Sequence, residues 1–122
     1  MSNFSKLIQP YVETELLAAL STEFAGKQQL AFLHLERAHL LGQSSTFQNV
    51  RVHWLMFCWG WRQRDARECI GQLMRIVGAA TKTAVGFVPT GNTGGSNISP
   101  FKVLPIPHEL NRILEITRKV AK

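Results

Sequence analysis

The sequence holds no hydrophobic run long enough to cross a bilayer. Its most apolar stretch, residues 52–61, carries His53 and is about half of the ~20 residues that a membrane helix needs. The opening residues include Asn3, Ser5, Lys6 and Gln9 and lack the apolar centre of a secretory signal, so a cytoplasmic location is expected. Cysteine is scarce. Only Cys58 and Cys69 occur, with no C-x-x-C pair, which excludes the disulfide framework of small secreted domains. The plain expectation is two reduced core thiols, placed to face each other across a turn near Gln63 and Arg64. Long runs of one charge sign are also missing, and 45% apolar residues beside 18% charged ones describe a globular chain rather than a disordered one.

What is present bounds the rest. The 122 residues fit a single domain over 1–122 and leave no room for a second catalytic one. Fourteen Lys and Arg against eight Asp and Glu give a net charge of +6, which favours contact with anions or acidic surfaces. The basic residues, among them Arg37, Arg51, Arg75, Arg112 and Arg118, are scattered without the aromatic interleaving of a single-strand platform. That pattern argues against nucleic acid and leaves a protein partner or a homo-oligomer. Arg62, Arg64 and Arg67 surround one turn and read as a solvated face.

The apolar spacing is helical throughout the first two-thirds. Pro10 suits a first helical position, and Val12, Leu16, Ala19 and Leu20 recur at the right interval, so a helix is predicted over 10–25 with Gly26 as its stop. A second helix over 27–41 carries two stripes, Leu30, Leu33, Leu40 and Leu41 against Ala31, Leu35 and Ala38, as a helix packed on two sides does. Residues 43–46 form a polar turn with N-cap candidates. A central helix over 47–61 follows, with Phe47, Val50, Trp54, Phe57, Cys58 and Trp61 on one stripe and Val52, Leu55, Met56 and Trp59 on another. Asp65 can cap a fourth helix whose core face is Ala66, Cys69, Ile70, Leu73, Met74 and Val77, fading between 78 and 83. Residues 85–107 are rich in glycine, proline and asparagine and read as a long ordered loop, with Phe87, Val88, Ile98 and Phe101 to bury. Pro107 then opens a last helix bearing Leu110, Ile113, Leu114 and Val120. The expected fold is all-α: two consecutive helical hairpins with tetratricopeptide-like packing, the loop, and a C-terminal helix. The turns at Gly26 and Arg64 lie further apart than the ~34-residue tetratricopeptide period, so no function follows from that likeness.

The segments H-L-E-R-A-H-L-L-G-Q (34–43), V-R-V-H-W (50–54), G-N-T-G-G-S-N-I-S (91–99) and P-I-P (105–107) resemble, in order, those of the small bacterial domain-of-unknown-function family numbered 3703. The resemblance runs from about Glu15 to Leu114 and implies fold boundaries but no activity. Its pattern often has a histidine where this chain has Asn49, a departure that weakens a metal argument.

Glu36 and His39 stand three apart on one helix, and Asn49 and His53 four apart on the next. A hairpin turning at Ser44 and Ser45 would set Glu36 level with His53 and His39 level with Asn49. Imidazole and carboxylate gathered between helices suit a divalent transition metal such as zinc. The blander reading is a hydrogen-bond network that fixes how the two helices pack. His34 belongs to another surface, and His108 faces solvent. The glycine-rich loop 91–97 lacks the Lys-Ser/Thr ending and the preceding strand of a phosphate loop. No nucleophile and base can be paired across the expected hairpins, so no catalytic residue is assigned. The leading expectation is a non-enzymatic binding or interaction protein. The alternative is a metal-binding protein using Glu36, His39, Asn49 and His53, or a metalloenzyme built on the same cluster.

Overall fold

A computed structural model describes residues 2–81 and 106–122, with the backbone alone for 78–81. Among these residues the chain is all-α, with five helices and no strand. The expectations for residues 82–105, including the loop and its 91–97 segment, lie outside the described residues.

Helix α1, Asn3–Phe24, starts well before Pro10. Ser2 is its N-cap, with Oγ accepting from the Ser5 backbone N–H at 3.1 Å, so a serine cap sets the start and proline falls in the interior. Pro10 donates no N–H to the Lys6 carbonyl, a loss eased by its place on the exposed face. Ile8, Val12, Leu16 and Ala19 form the buried stripe. The helix closes with Lys27 N–H on the Thr22 carbonyl at 2.9 Å. Gly26 follows in the left-handed region at φ 82°, where glycine carries no Cβ penalty.

Helix α2, Gln28–Gly42, buries Ala31, Leu35, Ala38, Leu40 and Leu41 but leaves Leu30 and Leu33 exposed. Its last residue allows close approach to the next helix: a Cβ on Gly42 would lie 2.7 Å from Gln48 Cβ. Helix α3, Thr46–Arg62, is capped by Ser45, whose Oγ accepts from Gln48 N–H at 3.3 Å and sits 2.6 Å from Ser5 Oγ of α1. Trp59 is the buried aromatic of α3, 4.5 Å from the Phe32 ring and donating Nε1–H to the Gln28 carbonyl at 3.3 Å. Helix α4, Ala66–Thr81, is capped by Asp65 Oδ1 on Glu68 N–H at 3.0 Å, as its sequence implied. Arg64, in the turn before it, holds φ 58°. Helix α5, His108–Ala121, starts one residue after Pro107, which serves as its N-cap.

The main packing joins α1 to α2 and α3 to α4, with α2 also against α3, and α5 resting on α1 and α2. The core runs through Ile8, Val12, Leu35, Leu41, Val52, Met56, Leu110 and Leu114, each of which contributes ~1.5–3 kcal/mol by leaving water. No described residue of α4 belongs to it.

Two expected core faces point outward instead. On α3, Phe47, Trp54 and Trp61 are exposed, while Val52, Met56 and Trp59 take the inner side. On α4, Ile70, Leu73, Met74 and Val77 are 47–71% exposed. Polar side chains occupy the inner positions of both helices: Gln48, Asn49 and His53 on α3, and Glu68 and Gln72 on α4.

Ion pairs fasten the outside. Glu15 of α1 accepts from His34 Nδ1 at 2.8 Å and Arg37 Nε at 3.1 Å, and Arg37 reaches on to Glu109 of α5. Burial raises the Glu15 pKa, but the Arg37 and His34 hydrogen bonds and charges more than offset it and hold the carboxyl below its usual value. His34 thus lies on a surface apart from His39. Arg62 grips Glu23 through two nitrogens, and Arg51 pairs with Glu13.

Candidate functional site

The polar inner faces of α3 and α4 meet in one buried cluster, which α2 reaches through His39. Asn49 and His53 are one turn apart on α3, as are Glu68 and Gln72 on α4, and His39 enters from α2. His39 is 1% exposed, Gln72 0% and His53 3%, so these groups are effectively out of water.

The hydrogen-bond chain assigns protons. Gln72 Nε2 donates to Glu68 Oε2 at 2.9 Å, which turns its carbonyl toward α3. That carbonyl lies 2.6 Å from His53 Nδ1 and can only accept, so Nδ1 carries the proton and Nε2 keeps the lone pair. Burial pushes the His53 pKa down to about 4; the Gln72 hydrogen bond opposes this in part, and the Arg75 charge adds to it. His53 is therefore neutral at pH 7, with its lone pair on Nε2. Arg75, the next polar residue along α4, has its own pKa lowered by burial, against the opposing Glu68 charge.

His39 and His53 stack with ring centroids 4.7 Å apart at 58°. The short α2–α3 connection brings them together, but His39 lies against His53 itself, about one turn from the expected level with Asn49. Asn49 is buried, and its Oδ1 has no hydrogen-bond partner; Gln48, fully buried beside Gly42, has neither amide atom paired. Glu36 is half-buried. Among the described residues, no group of three or more His, Cys, Asp or Glu gathers to hold a metal.

Glu68, Gln72 and Arg75 were not singled out by sequence reasoning. Their signal was the spacing i, i+4, i+7 along α4, a polar stripe opposite the apolar one. His108 is exposed, as expected.

The thiols are half-buried rather than core. Cys69 Sγ contacts the Phe57 carbonyl at 3.7 Å, and burial, with Asp65, Glu68 and Cys58 nearby, raises its pKa and keeps it a thiol. Beside it, an apolar groove of about 560 Å³ opens on the outer side of the α3–α4 turn, lined by Phe57, Gly60, Trp61, Arg64, Asp65, Ala66, Cys69, Ile70 and Leu73. Trp54 stacks on Phe57 at 5.4 Å and continues the apolar surface along α3. No described helix is long and apolar enough to cross a membrane.

No curated protein and no solved structure matches the chain. A family model described as "Protein of unknown function (DUF3703)" matches residues 6–114, which spans all five helices in whole or in part, and the chain belongs to that family.

Proposed function

We propose that this protein is a non-catalytic interaction module that docks through the outer face of α3 and α4. One observation carries the reading: α4 is inverted, holding Glu68 and Gln72 inside while presenting Ile70, Leu73, Met74 and Val77 to solvent. An amphipathic surface helix ordinarily turns its apolar stripe to the core. Contiguous exposed apolar surface beyond a few hundred Å² marks interaction sites in soluble proteins. Trp54 and Trp61 extend the same face onto α3 with the aromatic anchors that interfaces favour. The remaining features belong to this reading: one domain of paired helices packed in the tetratricopeptide manner, in the cytoplasm. The test is stability. Leu73→Glu combined with Met74→Glu should change the unfolding free energy by less than ~0.5 kcal/mol when measured dilute enough that no complex persists, because side chains exposed in the monomer hold nothing within it together. A loss of ~3 kcal/mol or more would place those side chains in the protein's own core and refute the reading.

A second reading is favoured by the Glu68–Gln72–His53 chain. Histidines that bind metals donate their other ring N–H to a carbonyl or carboxylate, and His53 does so, which puts its lone pair on Nε2 of a ring stacked on His39. On this reading His39 and His53 supply two imidazole nitrogens to a divalent ion such as zinc, and Asn49 and Glu36 would have to swing in to complete its shell. Zinc titration should then give binding tighter than ~100 μM, weakened ~10–100-fold by Gln72→Leu and untouched by His108→Ala. Absence of such binding leaves the cluster a structural network.

A further inference from the structure

We propose that the outer α3–α4 face pairs with the same face of a second copy of this chain across a two-fold axis, so that the functional unit is a homodimer. The inference rests on the docking reading above and names the occupant.

Three observations select a second copy. The first is area. Trp54, Trp61, Ile70, Leu73, Met74 and Val77, at 47–71% exposure, present on the order of 700 Å², close to the ~800 Å² that each partner contributes to a standard stable interface. A typical monomer's largest patch is smaller, at ~300–600 Å².

The second is charge. The chain carries +6 overall, yet the groove is lined by one cation and one anion, the consecutive Arg64 and Asp65. A two-fold axis brings each surface against itself, so only a self-complementary rim is tolerated. Arg64 beside Asp65 meets that condition, since each can face its opposite in the second copy. A surface built for an acidic protein or nucleic acid would instead concentrate uncompensated cations, whereas here Asp65 stands beside Arg64 and Glu23 holds the adjoining Arg62.

The third is shape. The concavity is walled by Phe57, Trp61, Ile70 and Leu73, and Met74 follows Leu73 on α4; Trp61 and Met74 are both 71% exposed and supply the relief beside the hollow. A hollow next to a projection on one face is what an isologous contact requires, because each copy supplies both halves of the fit. The two α3–α4 pairs would then close a four-helix layer, burying the inverted stripe of α4 on the partner in place of the core.

Sedimentation velocity and light scattering over about a hundredfold range of concentration should give twice the 13.7 kDa chain mass, with dissociation on dilution. Leu73→Arg should raise the dimer dissociation constant by ~30-fold or more while leaving the helical far-ultraviolet spectrum unchanged. Phe24→Ser, at a 94% exposed apolar site on α1, should leave the dimer intact. Carbene footprinting of Trp61 and Met74 in the same samples separates this proposal from the one beneath it. A monomer at every concentration with both residues labelled overturns the dimer and leaves the docking face standing. A monomer with neither residue labelled overturns both. Dissociation by Phe24→Ser rather than Leu73→Arg also overturns the two-fold pairing.

Discussion

The neutral state of His53 makes stability depend on pH in a calculable way. Its folded pKa of about 4 lies below the 6.5 of an ordinary imidazole, so between these values the unfolded chain binds the proton and the folded chain does not. Stability from this group is fully present above about pH 6.5 and is lost as pH falls toward 4. Between pH 7 and pH 5 the linkage integral comes to ~2 kcal/mol, or roughly 8 °C in melting temperature for a chain of this size. The integral approaches ~3 kcal/mol below pH 4. Urea denaturation at half-unit steps from pH 7.5 to 5 measures it, in wild type and in His53→Gln. Carboxylates such as Glu15 add their own acid loss, but theirs falls chiefly below pH 5 and is common to both proteins. The wild-type curve should drop about 2 kcal/mol further than the variant curve over that window. Parallel curves would mean that His53 is protonated or solvated in the native state, and the hydrogen-bond chain through Gln72 and Glu68 would have to be redrawn.

Other substitutions probe the backbone and the caps. Gly42→Ala should cost ~1–3 kcal/mol, because the new methyl would meet Gln48 Cβ at 2.7 Å and force α2 and α3 apart; a neutral result in chemical denaturation would show that the contact relaxes freely. Arg64→Gly should stabilise by ~0.5–1 kcal/mol, since φ 58° suits glycine, and a lowered melting temperature would contradict this. Ser45→Ala removes both the α3 cap and the Ser5 hydrogen bond and should cost ~1–2 kcal/mol by calorimetry, against under ~0.5 kcal/mol if water replaces them.

Helix positions were largely legible because period, caps and glycine stops agreed: Ser45 and Asp65 start their helices, and Gly26 ends a turn. Pro10 misled because proline is a strong helix-start signal that says nothing of a competing serine cap upstream. The meeting of His39 and His53 could be read from the short connection between α2 and α3, although not their level. The rotation of α3 and α4 could not. Spacing shows which residues share a stripe, but which stripe faces inward is decided by the neighbouring helices. Trp54, Trp61 and the Ile70–Leu73–Met74 stripe were assigned to a core that Asn49, His53 and Gln72 occupy. Gln72 escaped notice for the same reason, since a glutamine on a helix becomes informative only once its face is known to be buried.

The way α5 is fastened has a kinetic consequence. Helices α1 with α2, and α3 with α4, are neighbours along the chain, so their contacts close short loops and should form early. Helix α5 meets α1 and α2 only after 83 and 65 residues of intervening chain (25–107 and 43–107), through Leu110, Leu114 and the Arg37–Glu109 pair. It should therefore dock last in folding and detach first in native-state hydrogen exchange, uncovering Ile8 and Val12 while the helix pairs still hold.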